Sequence, residues 1–130
     1  MTRRESREHL IKMLYCKDFH EDDQMQQQLE LYIQTVQMEP EDAKSFTARF
    51  NDILSHITEI DEVISANCVG WKISRIAKVD LCILRLAVFE IKFDDTIPEK
   101  VSINEAVEIA KIYGQENSAG FINGVLAKIL

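Results

Sequence analysis

The stretch SRIAKVDLCILRLAVFEIKF, Ser74–Phe93, decides the fold class of this chain. Its apolar residues point in every direction around a helical axis, which is typical of a helix enclosed by other helices. Asp80 and Glu90 lie on the same side of this helix as Ile76, Ile83 and Ala87. An unpartnered buried carboxylate there would be costly. We therefore predict that Asp80 joins an internal ion pair. Glu90 either does the same or contacts another protein.

Amphipathic helical patterns precede this central helix. Thr2 and Glu5 have the spacing of a capping box at the start of a first helix. A second helix is predicted to carry the apolar residues of Met25–Val36 on one side. A third should begin near Pro40 and keep its helical period as far as Ile64.

Two further helices follow it. Ser102 and Glu105 match a second capping box, Gly114 should end that helix, and the last helix should begin near Glu116. No stretch predicts a strand. The fold class is therefore all-α, a bundle of six to seven helices in one domain, 1–130. We predict two packed three-helix halves, about 1–70 and about 71–130, with Gly70 interrupting the helical pattern between them.

Composition indicates an ordinary globular protein of the cytoplasm. The 130 residues are 46% hydrophobic and 28% charged, which suits one domain with its own core. No apolar run approaches the ~20 residues that cross a bilayer, so we expect no membrane association. The basic N-terminus lacks the apolar segment of a signal peptide. Three separated cysteines, without a CxxC pair, predict reduced thiols and no zinc site.

The charge distribution is uneven. The net charge is −7, yet residues 1–17 contain five basic and only two acidic residues. A basic end on an acidic body is found in proteins that bind nucleic acid, although a basic first turn can also merely solubilise a terminus. Charge alone leaves both alternatives open.

Catalytic motifs are missing from the sequence. It has no phosphate-binding glycine loop, no GxSxG elbow and no His-Glu-x-x-His pattern. Cys16 and His20, four residues apart, supply at most two metal ligands, and a buried thiol beside a surface imidazole explains the pair better. We expect no enzyme activity, no cofactor and no metal.

The last helix carries two glycines four residues apart, Gly120 and Gly124. Glycine inside a helix costs ~1 kcal/mol relative to alanine, so the pair predicts a close approach, either by another helix or by a ligand. Nearby Phe121, Lys111 and Asn117 combine an aromatic ring, a cation and an amide. Such a set can hold an unstacked base.

Several motifs, in order along nearly the whole chain, resemble those of the NusB family. They are Arg3-Arg4-x-x-Arg7-Glu8, Leu14-Tyr15, Arg75 with Val79-Asp80, Ile83-Leu84-Arg85-Leu86-Ala87 with Glu90, Ile97-Pro98, Ile103-Asn104-Glu105-Ala106, Ala110-Lys111 and Phe121-Ile122-Asn123-Gly124-Val125-Leu126. The resemblance implies an all-helical fold without catalytic activity. It also implies binding of single-stranded boxA RNA from ribosomal operon leaders, jointly with the ribosomal protein NusE, in a Nus complex that helps RNA polymerase resist termination.

The resemblance also implies which residues act. The RNA-binding residues would be Arg3, Arg4, Arg7, Lys111, Asn117, Ser118 and Phe121, with the arginines and the Phe121 ring along one solvent-facing groove. Tyr15 and Glu90 would face NusE. A homodimer is compatible with the family, and Glu5 interrupts the arginine cluster and lowers its charge. The alternative is a helical adaptor that contacts proteins but no RNA.

Overall fold

The computed structural model describes residues 1–68 and 72–130. These residues form seven α-helices and no strand, which confirms the predicted all-α fold. The helices are α1 (Arg3–Lys17), α2 (Met25–Val36), α3 (Pro40–Ser55), α4 (Ile57–Asn67), α5 (Lys78–Phe93), α6 (Glu99–Tyr113) and α7 (Ser118–Ile129). Short 3-10 turns cover Asp22–Gln24 and Ile73–Arg75.

The chain divides into two compact units, Met1–Leu54 and Ser55–Leu130. The sequence placed this division near residue 70, and the predicted break at Gly70 lies outside the described residues. The division falls earlier because α4 packs on α5 and α7 and so joins the second unit. A helical period alone does not tell which neighbours a helix packs on.

The predicted third helix is two helices. α3 ends at Ser55, and His56 leaves the helical conformation with φ −109° and ψ 7° before α4 begins. The His56 ring packs on Phe93 of α5, with ring centroids 4.0 Å apart. The prediction of one helix to Ile64 was wrong. The buried apolar residues of α3 and α4 follow one continuous helical period, so the pattern does not show the junction between the two helices. Neither Gly nor Pro marks the junction.

The predicted capping box of α1 is present. The Glu5 amide donates to the Thr2 hydroxyl and the Thr2 amide donates to the Glu5 carboxylate, each at 3.0 Å. These two bonds satisfy N–H groups that the first helical turn leaves without a partner. The pKa of the Glu5 carboxyl is lowered mainly by its hydrogen bond with the Thr2 backbone and next by its hydrogen bond with the Thr2 side chain. Glu5 is therefore held in its charged form by the helix start.

His9 joins the aromatic residues of the first unit. Its Nδ1 lies 2.6 Å from the Tyr32 hydroxyl, and its ring meets Tyr32 and Phe46 edge-on. Burial is the main cause that lowers the pKa of His9, and the positive charge of Lys12 is the next. The folded unit therefore favours the neutral imidazole.

Acidification should destabilise the first unit through His9. Its folded pKa lies below the ordinary value of 6.5. The contribution is therefore complete above about pH 6.5 and is lost as the pH falls through the folded pKa, because the unfolded chain binds the proton more tightly. We expect the free energy of unfolding in urea to fall from about pH 7 to about pH 5. His9→Phe should reduce this dependence, and an unchanged profile would contradict the assignment.

α5 is the enclosed helix that the sequence predicts. Eleven consecutive residues, Asp80–Glu90, are buried. Arg85 is paired with Asp61 of α4 through two parallel hydrogen bonds, Nε to Oδ1 at 2.9 Å and Nη2 to Oδ2 at 3.0 Å. Asp80 Oδ1 is buried and has no hydrogen-bond partner among the described residues, so this oxygen takes no part in the ion pair predicted for Asp80.

α6 begins at Glu99, directly after Pro98, and not at the predicted Ser102 capping box. Ser102 is 2% exposed and donates from its hydroxyl to Glu90 Oε1 at 2.8 Å. The prediction was wrong because the Ser102–Glu105 spacing lies inside a helix, where the hydroxyl partners a buried carboxylate. Pro98 restricts the backbone and sets the first turn.

Gly114 ends α6 in an extended conformation, with φ −89° and ψ −171°. A glycine is needed at this position because a Cβ would have no room, and not because the backbone is left-handed. A Cβ at this position would lie 2.6 Å from Ser118 Cβ and 2.8 Å from the Ala110 carbonyl oxygen. The last helix then begins at Ser118, two residues after the predicted start at Glu116.

Candidate RNA-binding surfaces

The N-terminal arginines differ in exposure. Arg3 is exposed and Arg4 is partly exposed in the first turn of α1, whereas Arg7 is only 8% exposed. The prediction that Arg7 contacts RNA directly is therefore not supported by its burial. The helix is already buried at Arg7, one turn before the apolar residue Leu10. Arg3 and Arg4 remain the candidate contacts of this cluster.

Exposed aromatic rings lie at the other end of α1. Tyr15 is 41% exposed and packs against Phe19, which is 62% exposed, with ring centroids 5.2 Å apart. The sequence indicated Tyr15 but not Phe19, because Phe19 follows the helix end and lies outside its periodic pattern. A pair of large exposed rings in one place is typical of a protein-binding surface.

Glu90, the other residue predicted to face a partner, is 2% exposed. Its carboxylate accepts the hydrogen bond from Ser102 within the second unit. This burial does not support a direct contact with another protein. Glu90 instead ties α5 to α6.

The start of α7 carries the predicted base-binding residues. Asn117 is exposed and directly precedes the helix, and Phe121 is half-buried one turn later. Ser118 is 2% exposed, and its Oγ accepts a hydrogen bond from the Gln115 amide at 2.8 Å. The prediction that Ser118 contacts RNA is therefore not supported, since the hydroxyl holds the turn between α6 and α7.

Lys111 is exposed near the end of α6. Its ammonium lies 3.2 Å from Glu108 Oε1, and both side chains are about half exposed to solvent. Exposed ion pairs of this kind are worth at most about 1 kcal/mol, so the pair leaves the ammonium available for a phosphate.

The two glycines of α7 are exposed. A Cβ added at Gly120 or Gly124 would meet no atom of the described residues within 4 Å. Of the two explanations that the sequence left open, helix packing is not supported by the described atoms. A pocket of about 260 Å³ lies here, within the second unit. Its lining residues are Asn67, Cys68, Gly120, Phe121, Gly124, Val125 and Lys128.

The Cys16–His20 pair is a local contact. The Cys16 thiol lies 3.5 Å from His20 Nδ1, which is also 3.0 Å from the Cys16 carbonyl oxygen. Cys16 is partly exposed rather than buried, and desolvation raises the pKa of its thiol. Within residues 1–68 and 72–130, no three metal-ligating side chains come together. Over the same residues, none of the helices has the length and apolarity needed to span a bilayer.

Comparison with known proteins gives the chain its family. The NusB family model matches residues 4–130. Transcription antitermination protein NusB of Lachnoclostridium phytofermentans is 48% identical, over 100% of this chain and 99% of that protein. NusB of Listeria monocytogenes is 42% identical, over 99% of this chain and 96% of that protein.

Solved structures agree. T. maritima NusB has a TM-score of 0.88 and 35% identity, over 99% of this chain and 90% of that chain. A chain from the complex of antitermination factors NusB and NusE with dsRNA has a TM-score of 0.81 and 23% identity, over 98% and 94%. The helical fold and these relatives define the class, which is that of transcription antitermination proteins. Within that class, the chain belongs to the NusB family.

Proposed function

We propose that this protein binds the single-stranded boxA element of ribosomal leader RNA together with NusE and supports processive transcription by RNA polymerase in the cytoplasm. The observation that carries the proposal is the half-exposed Phe121 ring, which follows the exposed Asn117 on the last helix. Single-stranded RNA is recognised mainly by stacking of unpaired bases on such rings and by hydrogen bonds to their edges. The protein would act by binding, without catalysis and without a cofactor.

The cationic contacts of this proposal are Arg3 and Arg4 on α1 and Lys111 on α6. A guanidinium group can donate two parallel hydrogen bonds to a phosphate, and an ammonium acts as a point charge. Each of these groups would neutralise one phosphate of bound RNA, and on the second unit Phe121 and Asn117 would contact bases. Arg7 would support this surface from its buried position.

NusE would contact the exposed pair Tyr15 and Phe19 on the first unit. Aromatic residues are enriched at protein interfaces, where they bury a large area at a low entropic cost. In a relative of the same fold, NusB and NusE occur together with dsRNA. The same pair of rings is the observation that favours the second candidate function, an adaptor that contacts proteins but no RNA.

Removal of the exposed arginines tests the RNA proposal. Three phosphate contacts predict a slope of about −2 in a plot of log binding constant against log salt concentration for single-stranded RNA. Arg3→Ala/Arg4→Ala should weaken binding and bring the slope to about −0.7, because two contacts are lost. The helix should tolerate the change, since cations at a helix N-terminus are unfavourable. The measurement is fluorescence anisotropy of labelled boxA RNA at several salt concentrations.

The matched control removes two exposed lysines elsewhere, Lys44→Ala/Lys100→Ala, and changes the net charge equally. If the control and the arginine variant lose the same affinity, general charge explains the result and the assigned contacts are wrong. An adaptor without RNA binding would not change the anisotropy of labelled boxA RNA when it is added, even with NusE present.

A further inference from the structure

We propose that the RNA-binding surface of α7 continues past Phe121 to Lys128, with one more nucleotide held in the glycine-lined pocket and its phosphate bound by the Lys128 ammonium. This inference rests on the proposed function and extends its RNA path along the same helix. The pocket residues Asn67 and Lys128 have no place in the predicted site.

The first argument is the alignment of four residues on α7. Asn117, Phe121, Gly124 and Lys128 are spaced by four, three and four residues, which puts them on one helical face. At 1.5 Å of rise per residue, Phe121 and Lys128 are about 10 Å apart along the axis. That length corresponds to about three stacked nucleotides at 3.4 Å each. A strand stacked on Phe121 and running along α7 would therefore reach Lys128.

The second argument is that Gly120 and Gly124 lie at the pocket without side chains of their own. No atom of residues 1–68 and 72–130 would lie within 4 Å of a Cβ added at either position. Two helix-interior glycines are unfavourable for the helix itself. Backbone uncovered in this way allows a flat ligand to approach more closely than any side chain would permit.

The third argument is the size and lining of the pocket. Its volume of about 260 Å³ is below the range of about 300–1,000 Å³ typical of sites for drug-sized ligands and cofactors. It suits a fragment such as a single base. The Phe121 ring and Val125 supply apolar surface, and the half-buried Asn67 supplies an amide. These are the groups that hold an unstacked base.

The fourth argument is charge. Lys128 is exposed at the pocket, and its positive charge lowers the pKa of the nearby Cys68 thiol, although burial has the larger effect and raises it. The ammonium therefore acts electrostatically on the pocket interior. Lys128 and Asn67 also line a second pocket, whose other residues include Glu59, Glu62 and Lys92. Those carboxylates would repel phosphates, so the RNA path should end at Lys128.

The test uses two variants and two matched controls, with anisotropy of labelled boxA RNA in the presence of NusE. Gly124→Leu should fill the pocket and weaken RNA binding at least about fivefold, the loss of one weak base contact. Lys128 would be a fourth phosphate contact beside Arg3, Arg4 and Lys111, so the wild-type slope should be about −2.8, and Lys128→Gln should bring it to about −2. Ala127→Leu and Lys100→Gln, exposed and outside the pocket, should bind like the wild type.

Folding is followed in the same samples. Leucine is a better helix former than glycine, so Gly124→Leu should melt at or above the wild-type temperature, and weaker binding would then not reflect unfolding. If Gly124→Leu and Lys128→Gln bind as the controls do while Phe121→Ala loses binding, the extension is wrong and the proposed function stands. Loss of NusE binding with unchanged RNA binding would assign the pocket to a protein. A wild type that binds no RNA would overturn both proposals.

Discussion

Replacing Phe121 with alanine should weaken binding of boxA RNA by about 5- to 150-fold. This range corresponds to the ~1–3 kcal/mol that stacking of one base on an aromatic side chain contributes. The ring is half-buried on α7, so it is held in place while one part remains open to solvent. Titration of labelled RNA by fluorescence anisotropy measures the effect directly.

Conservative variants separate stacking from packing. Phe121→Trp keeps a π-face and should retain most of the affinity, whereas Phe121→Leu keeps apolar volume without a ring and should resemble Phe121→Ala. Thermal melting of each variant identifies any loss of folding. Equal affinity of the leucine and tryptophan variants would show that the ring does not stack on a base.

Asp61→Ala should reduce the free energy of unfolding of the second unit by about 2–3 kcal/mol. Asp61 accepts both hydrogen bonds from Arg85, whose side chain is 8% exposed. Without this carboxylate a buried guanidinium would lose these two hydrogen bonds to α4. The Asp61 side chain is itself 32% exposed, which keeps the expected loss below that of a fully buried pair.

The neighbouring Glu62 provides the matched control for this measurement. It is exposed on the same helix, and Glu62→Ala should change the free energy of unfolding by less than about 0.5 kcal/mol. Urea denaturation followed by circular dichroism compares the two variants. A similar small change in both would mean that the Arg85–Asp61 pair does not hold α4 to α5.

Much of the fold can be predicted from the sequence because the apolar pattern of a short stretch indicates which faces of its helix are buried. The all-round apolar pattern of α5 predicts an enclosed helix, and residues Asp80–Glu90 are buried. The Thr2–Glu5 capping box depends only on residues three apart, so its two hydrogen bonds form as expected. Both features depend on residues close together in the chain.

The errors arise where tertiary contacts override local signals. His56 separates α3 from α4 although no Gly or Pro marks the position, and its ring packs on Phe93, distant in sequence. Ser102 matches a capping box but lies inside α6, where it donates to Glu90. A local pattern of residue types does not predict which residues, distant in sequence, come into contact.

The candidate RNA-binding residues were predicted from residue type, and the structure adds which of them are exposed. Arg3, Lys111 and Asn117 are exposed as an RNA surface requires. Arg7 and Ser118, which carry equally suitable groups, are buried. Exposure depends on which neighbouring helices cover a side chain. Helical periodicity defines the covered face only to within about a quarter turn, roughly one residue.

The central claim is that this protein binds single-stranded boxA RNA through surface cations and an aromatic ring. Titration of boxA RNA and of a scrambled RNA into the wild-type protein, with and without NusE, at two salt concentrations, tests it most directly. We predict preferential binding of boxA RNA, tighter with NusE, that weakens with salt along a log–log slope of about −2 from Arg3, Arg4 and Lys111 alone and of about −2.8 when Lys128 also binds a phosphate. Equal affinity for both RNAs, or no binding with NusE present, would contradict the claim.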